Sequence, residues 1–229
     1  IDVIVAGHLC LDLSPAFSAG GSQSLRDILI PGKLVNVGPA ALSTGGAVSN
    51  TGLSLRMLGI RTSLMGKIGA DPLGGTVREI LAQYEAADGL IVDAQSATSY
   101  SIVIAPTGID RIFLHHPGAT LNLTAADVPA EALTGARALH VGGAFLLPGL
   151  DGAPMADLLR RARAAGALTF VDTAVDGHGN RLEVVAPILP QVDFFLPSET
   201  EARGMTGADD PAAMAAFLLD RGVKAVCIK

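Results

Sequence analysis

Ser43-Thr44-Gly45-Gly46-Ala47-Val48-Ser49-Asn50 decides how this chain is read. Two adjacent glycines remove side chains where the backbone must come close to something else. The residues after them have the pattern of a helix over about Ala47–Leu58: Val48, Leu53, Leu55, Met57 and Leu58 are apolar, and Gly59 marks the stop. A glycine turn thus feeds a helix N-terminus, where free N–H groups and the positive end of the dipole collect. Asn50 is predicted in the first turn, with an amide that both donates and accepts. Such a corner can grip a hydroxyl-rich or anionic small molecule. It equally fits a tight turn capping a packed helix, because a lone Gly-Gly is a weak signal.

The surrounding chain supplies the sheet. Ile1–Ala6 reads as a buried strand ended by Gly7, and Asp12 lies just beyond its carboxyl end. Ligands of open α/β sheets bind at that edge, which makes Asp12 a candidate hydroxyl acceptor or a plain turn aspartate. Residues 14–42, with Gly20-Gly21, Pro15, Pro31 and Pro39, read as a loop and small hairpin with apolar pieces at Asp27–Ile30 and Lys33–Val37. Thr62–Ile68 is predicted as one core strand. Asp71 and Pro72 cap and open a helix to about Ala87, with Leu73, Val77, Ile80, Leu81 and Tyr84 on one side. Gly89–Val92 is a short strand. Ser99–Ala105 and Arg111–His115 flank a glycine-bearing loop and read as a hairpin that joins the first one in a separate layer. His115 and His116 would point to opposite faces of that strand, which argues against one shared metal.

In the second half, strands are expected at Ala138–Val141, Leu168–Val171, Val192–Leu196 and Val223–Ile228. Helices are expected at Ala153–Ala165, Leu182–Ile188 and from Asp210-Pro211 through Leu219. Asp172 falls at a strand's carboxyl end, and Pro197-Ser198-Glu199-Thr200-Glu201 comes directly after the next strand. Arg160, Arg161 and Arg163 read as a solvated face. The last strand stops at the ligand edge with no covering helix, so the pattern is that of a C-terminally incomplete domain.

Composition bounds the function. The 229 residues are 49% hydrophobic with 4% aromatics, 27 glycines and no tryptophan, so the core must be built from Ala, Leu, Val and Ile. That balance suits a doubly wound, mainly parallel α/β sheet with helices on both faces. Net charge is −6 with no basic block, which removes the electrostatic basis for nucleic-acid binding. Cys10 and Cys227, far apart in apolar runs, are expected to be buried thiols of a cytoplasmic protein. No apolar run reaches the ~18 residues of a membrane span, and Asn122-Leu123-Thr124 would matter as a glycosylation triplet only after secretion.

The chain contains no GxxxxGK[ST] loop, GxGxxG, HExxH, CxxC pair or GxSxG elbow. A set of strand-end groups remains: Asp12, Gly45-Gly46, Asn50, Asp172 and Glu201. Carboxylates and amides of this kind hold hydroxyls, and a carboxylate such as Glu201 can hold Mg²⁺, usually through water. The set suits a polyol together with a metal phosphate.

Five segments, in this order, make the chain resemble the ribokinase-like, or PfkB-type, carbohydrate kinases. They are the opening strand with Asp12, Gly45–Asn50 as GGxxxN, Gly66–Gly74 as GxxGxDxxG, His116-Pro117-Gly118-Ala119 after the second hairpin, and Pro197–Glu201 as PNxxE. The resemblance spans essentially the whole chain. It implies a ribokinase-like domain over 1–229 with a β lid from about 13–43 and 97–118, a lid that in many members also makes a homodimer contact. It implies that Asp12 and Asn50 hold sugar hydroxyls and that the backbone at Gly45-Gly46 packs on the sugar. Asp172, Ser198 and Glu201 would face ATP, with Glu201 helping to organise Mg²⁺. The reaction would be transfer of the γ-phosphoryl of ATP to a sugar hydroxyl. Ser198 stands where the family has asparagine, with a shorter side chain and one donor. The family's GAGD segment, which carries the general base and the anion hole, does not occur. The chain as given is therefore expected to hold the sugar half and the lid, without useful kinase activity.

Other readings are a catalytically dead sugar-binding or regulatory protein, and a nucleoside kinase on the same scaffold. The second ranks lower because the lid region offers no aromatic stack beyond Phe17, Tyr100 and Phe113. A nicotinamide oxidoreductase ranks last for want of the glycine fingerprint.

Overall fold

The computed structural model describes residues 1–17, 30–108, 110–174 and 181–229. The predicted Gly20-Gly21 turn, the start of the Asp27–Ile30 piece and the hairpin-loop residue Ile109 lie outside them. In chain order the described elements begin β1 (Val3–Gly7), β2 (Cys10–Pro15), β3 (Ala40–Gly45), α1 (Gly46–Met57), β4 (Thr62–Met65), β5 (Lys67–Gly69), α2 (Pro72–Ala82) and β6 (Ile91–Asp93). They continue with β7 (Tyr100–Ile104), β8 (Ile112–His116), α3 (Ala130–Leu133), β9 (Ala138–Ala144), α4 (Ala153–Ala164) and β10 (Leu168–Thr173). The last are α5 (Arg181–Val185), β11 (Phe194–Leu196), α6 (Glu199–Thr206), α7 (Pro211–Leu219) and β12 (Ala225–Val226).

Six strands form a parallel sheet in the order β12-β11-β10-β9-β1-β4. Its central strands β1 and β9 are nearly continuous buried runs, as expected of a sheet with helices on its faces, while the outer strands are buried on alternate residues or less. Alternation along β1 splits the core. Ile4 and Ala6 join Leu139, Val141, Val171 and Phe195 against Met155, Leu158, Leu159 and Ala162 of α4. Val5 turns the other way and packs with Leu64 and with Val48 of α1. Beyond α1, the same face of β10 and β11 is only partly covered: Phe170 and Phe194 stack there at 4.5 Å between ring centroids, and Leu168 is exposed.

A second sheet has the order β3-β2-β7-β8. Its hairpin β7–β8 is antiparallel, and β2 runs parallel to β7 and antiparallel to β3. This is a separate layer, as expected, and its β7–β8 hairpin is the predicted one, but the predicted piece Lys33–Val37 is not a strand: β2 and β3 take its place. It starts at Cys10 and returns to Gly45, wider than the 13–43 expected, and Asp12 sits inside β2 rather than in a turn.

Several boundaries differ from the sequence reading for identifiable reasons. The predicted strand Thr62–Ile68 is two strands: β4 lies in the main sheet and β5 leaves it to pair with β6. The break falls at Gly66, where an added Cβ would lie 2.7 Å from Leu9 Cβ, so the chain bends around Leu9. Helix α2 stops at Ala82 instead of about Ala87, and Glu85 beyond it takes a positive φ of 54°. Helix α6 went unpredicted although Ser198 and Glu201 form its capping box. Arg161 is no solvated side chain, since its guanidinium donates to the carbonyls of Val128 and Ala125 at 3.2 and 2.7 Å. Of the two thiols Cys10 is buried and Cys227 is exposed.

Asp71 ties α2 to the segment before β7. One carboxylate oxygen accepts from Gly74 N at 2.8 Å and Thr98 Oγ1 at 2.6 Å, and the other accepts from Thr98 N at 2.8 Å. Partial burial alone would raise its pKa, but these donors hold the carboxyl below its ordinary value. Asp71→Ala removes a cap worth about 1 kcal/mol and strands the buried Thr98 N–H, which adds about 1–3 kcal/mol. A loss of about 2–4 kcal/mol in urea unfolding at pH 7 is expected. Because the folded pKa is depressed, this contribution is complete above the unfolded value of about 4 and fades as pH falls through the folded one. The gap between wild type and variant should therefore narrow only in acid. A constant gap from pH 7 to pH 3 would contradict the ionised-cap account.

Candidate functional site

From β1 the chain builds β4 on one side, and later β9 on the other, so the strand order reverses between β1 and β9. Crevices at such reversals, outside the carboxyl ends of the strands, are where open α/β sheets bind ligands. Here the crevice has a backbone floor. His8 N donates to Gly142 O at 3.0 Å, and Val48 N, in the first turn of α1, donates to His8 O at 3.0 Å. Gly46 opens α1 at φ 84°, and a Cβ there would lie 2.5 Å from His8 O, so no other residue lets the helix start against β1.

Above this floor is a hollow of about 600 Å³. Asp12, Gly46 and Asn50 line it together, as do His8, His115 and Arg111. The structure thus brings Asp12 of the second sheet and Asn50 of α1 to one cavity. Asn50 points there from the second turn of the helix, since α1 begins at Gly46, not from the first turn as the sequence suggests. Gly45 is not part of the lining, but it sets the position of Asp12: a Cβ on it would lie 2.2 Å from Asp12 Oδ2. Thr44 Oγ1 and Ser49 Oγ are 2.5 Å apart and brace the corner from within.

The remaining wall is the hairpin expected as part of the lid, though Ser101, Val103 and His115 were not singled out as cavity residues. Ser101 and Val103 of β7, with Phe113 and His115 of β8, face the cavity. Ser101 Oγ is 3.0 Å from His115 Nδ1, and the Cys10 thiol donates to Asp12 Oδ1 at 3.4 Å. Burial, then the Asp12 charge, pushes the Cys10 thiol up to about 12, so it is a donor and not a thiolate. Burial holds the His115 imidazole below its ordinary value, against the pull of Asp12. His116 points to the opposite face and meets Tyr100, at 5.4 Å between centroids. Of Phe17, Tyr100 and Phe113, only Phe113 lines the hollow. The signal for His8 was available, since it stands directly after β1 at the same sheet edge as Asp12.

Asp172, Ser198 and Glu201 form a second group. Asp172 pairs with Lys229 and lines a separate hollow of about 410 Å³ with Leu55, His140, Phe170 and Leu196. Glu201 is 3% exposed. Its Oε2 accepts from Ser198 N at 2.8 Å and Thr173 Oγ1 at 2.6 Å, while Ser198 Oγ accepts from Glu201 N at 3.3 Å. Ser198 and Glu201 therefore close the N-terminus of α6 on each other, just past Asp172. Among the described residues no group of three or more His, Cys, Asp or Glu side chains is placed to hold a metal ion.

Comparison with known proteins bears on the family and the fold. Fructokinase-2 of Zea mays is 27% identical over 184 residues, covering 77% of this chain and 55% of that protein. The chain thus spans about half the length of the curated relatives it matches. Ribokinase from Giardia lamblia has the same fold at a TM-score of 0.81, with 18% identity over 98% of this chain and 72% of that one. Fructokinase from Xylella fastidiosa, solved with bound ATP, superposes at 0.74 with 20% identity, covering 100% and 72%. The family description "pfkB family carbohydrate kinase" matches residues 19–229. With this match over most of its length and a ribokinase-like fold beneath it, the chain belongs to the pfkB family of carbohydrate kinases.

Proposed function

We propose that the hollow at the β1–β9 reversal is a sugar site, and that the chain carries the sugar-binding part of a kinase transferring the γ-phosphoryl of ATP to a sugar hydroxyl. One observation carries the reading: Asp12 and Asn50, distant in sequence and on different sheets and helices, converge on one cavity above a glycine floor. Asp12 accepts from sugar hydroxyls, Asn50 both donates and accepts, and the bare backbone at Gly45-Gly46 lets the ring approach closely. The second sheet acts as the lid. Its closure over the hollow excludes water that would otherwise receive the phosphoryl group. Such transfer depends on positioning and charge neutralisation more than on covalent chemistry.

Asp172, Ser198 and Glu201 are proposed to face the nucleotide. Glu201 would help organise a magnesium ion through water and not as a direct ligand, because the side chain is buried and its Oε2 is already engaged by Ser198 and Thr173. Bound Mg²⁺-ATP supplies the phosphoryl group and the neutralising charge. No catalytic base is proposed among the described residues. Exposed Leu42 and Leu114 on the second sheet support a homodimer through that sheet. The free cysteines fit a cytoplasmic setting, and no helix among the described residues is long and apolar enough to cross a membrane.

Thermal unfolding against ribose, fructose, a keto-deoxy sugar acid and nucleosides tests the reading, with sedimentation run on the same samples. At a hundred times its Kd, the right sugar should raise Tm by about 5–10 °C. A shift with nucleosides alone would favour the nucleoside kinase reading, and no shift with any sugar would overturn the sugar site.

A further inference from the structure

His8 occupies the base of the hollow. Its backbone N–H and C=O are both used in the β1–β9–α1 junction, so its position is fixed. The ring is boxed in: added Cβ atoms would come within 3.0 Å of His8 Cδ2 from Gly46 and 2.7 Å of His8 Cβ from Gly143. The His115 ring stands edge-on to it, with centroids 5.2 Å apart and planes at 81°. The residue is buried, at 8% exposure. Even so, neither ring nitrogen has a hydrogen-bond partner among the described residues, and Nδ1 is also shielded from water.

Buried polar groups are almost always paired, so the sealed Nδ1 calls for an explanation, and Nε2 is the ring nitrogen that a ligand in the hollow can reach. Burial, and then the neighbouring His115, lower the His8 pKa to about 4, so the ring is uncharged at neutral pH. An uncharged imidazole has one donor and one acceptor nitrogen, and either can pair with a hydroxyl, which both donates and accepts. A carboxylate could use only the donor nitrogen, and on this hollow Asp12 opposes a negative charge while Arg111 favours one, so a hydroxyl is the partner that serves either nitrogen.

We propose that His8 is a specificity-determining residue: its imidazole, braced by His115 and the two glycines, takes one hydroxyl of an uncharged stretch of the sugar at the base of the hollow. This deepens the sugar-site reading and rests on it. His115, already bonded to Ser101, orients the ring and does not itself need to touch the ligand.

The test is calorimetric titration of the whole chain, wild type and His8→Phe, with the best-binding sugar and its monodeoxy analogues. Phenylalanine keeps a planar ring between the glycines and removes both nitrogens. The parent sugar should bind the variant about tenfold more weakly. A single deoxy analogue should bind wild type and variant alike, while the others keep the tenfold loss. Should His8→Phe not fold, ring ¹⁵N spectra of the wild type serve instead. The His8 nitrogens should move with the parent sugar and stay in place with that one analogue. Equal losses across all analogues, no loss at all, or unmoved His8 nitrogens at saturation would overturn the assignment while the sugar site stands. A wild-type chain that binds no sugar would overturn the sugar site itself, and this assignment with it.

Discussion

A Gly7→Ala chain should fail to accumulate as folded protein. Gly7 has φ 137°, and an added Cβ would lie 2.0 Å from Gly142 O, on the backbone of the neighbouring strand. Nothing flexible stands there to give way. The strand pair β1–β9 must separate, and that pair joins the two halves of the main sheet. Backbone strain of this kind costs about 1–3 kcal/mol by itself. Breaking the central ladder adds to it, against a total stability of about 5–15 kcal/mol for a domain. Gly59→Ala is the matched control: its φ is 81°, but an added Cβ meets nothing within 4 Å. It should cost only about 1–2 kcal/mol from the left-handed backbone. Urea unfolding and soluble yield of the two variants decide the matter. Equal midpoints would show that the close approach at the β1–β9 junction is not what holds the sheet together.

Asp12→Ala and Asn50→Ala are each expected to weaken sugar binding by roughly 10–100-fold, the range for losing hydrogen bonds to a charged or multiply engaged group. Folding should be little affected, because Asp12 is half-buried in β2 and Asn50 is exposed on α1. Gly45→Ala should behave like Asp12→Ala. Gly45 has an ordinary extended φ of −120°, so strain plays no part. The new methyl would instead drive the Asp12 carboxylate out of place. Titration calorimetry with the best-binding sugar measures all three. If all three bind like the wild type, the hollow does not hold the sugar.

Much of this architecture was legible in the sequence. The Gly45-Gly46 corner, the helix after it, the β-α-β rhythm and the hairpin Ser99–His115 all depend on neighbours within one or two turns of chain, and local pattern reports such things. Gly66 shows where legibility ended. It reads as one more residue in an apolar run, and only the approach of Leu9 makes it a break between two sheets. Cys10–Pro15 failed similarly, because partners far along the chain, Ala40–Gly45 and Tyr100–Ile102, make it a strand. Asp12 and Asn50 were legible as polar groups at a sheet edge. His8 carried the same positional signal, directly after β1, but a histidine there says little until its ring is seen lining a cavity. Glu201 shows the reverse: its Ser198-x-x-Glu201 spacing announces a helix start as plainly as it suggests chemistry.

The hollow's base is peptide backbone, fixed wherever two strands and a helix converge, whereas its sides are the replaceable side chains Ser101, Val103, Arg111 and Phe113 on or next to the hairpin. Divergence in taste among sugars therefore has an open route through that hairpin, without disturbing the junction beneath it. A laboratory seeking a new sugar for this scaffold should randomise those four positions and leave the glycines untouched.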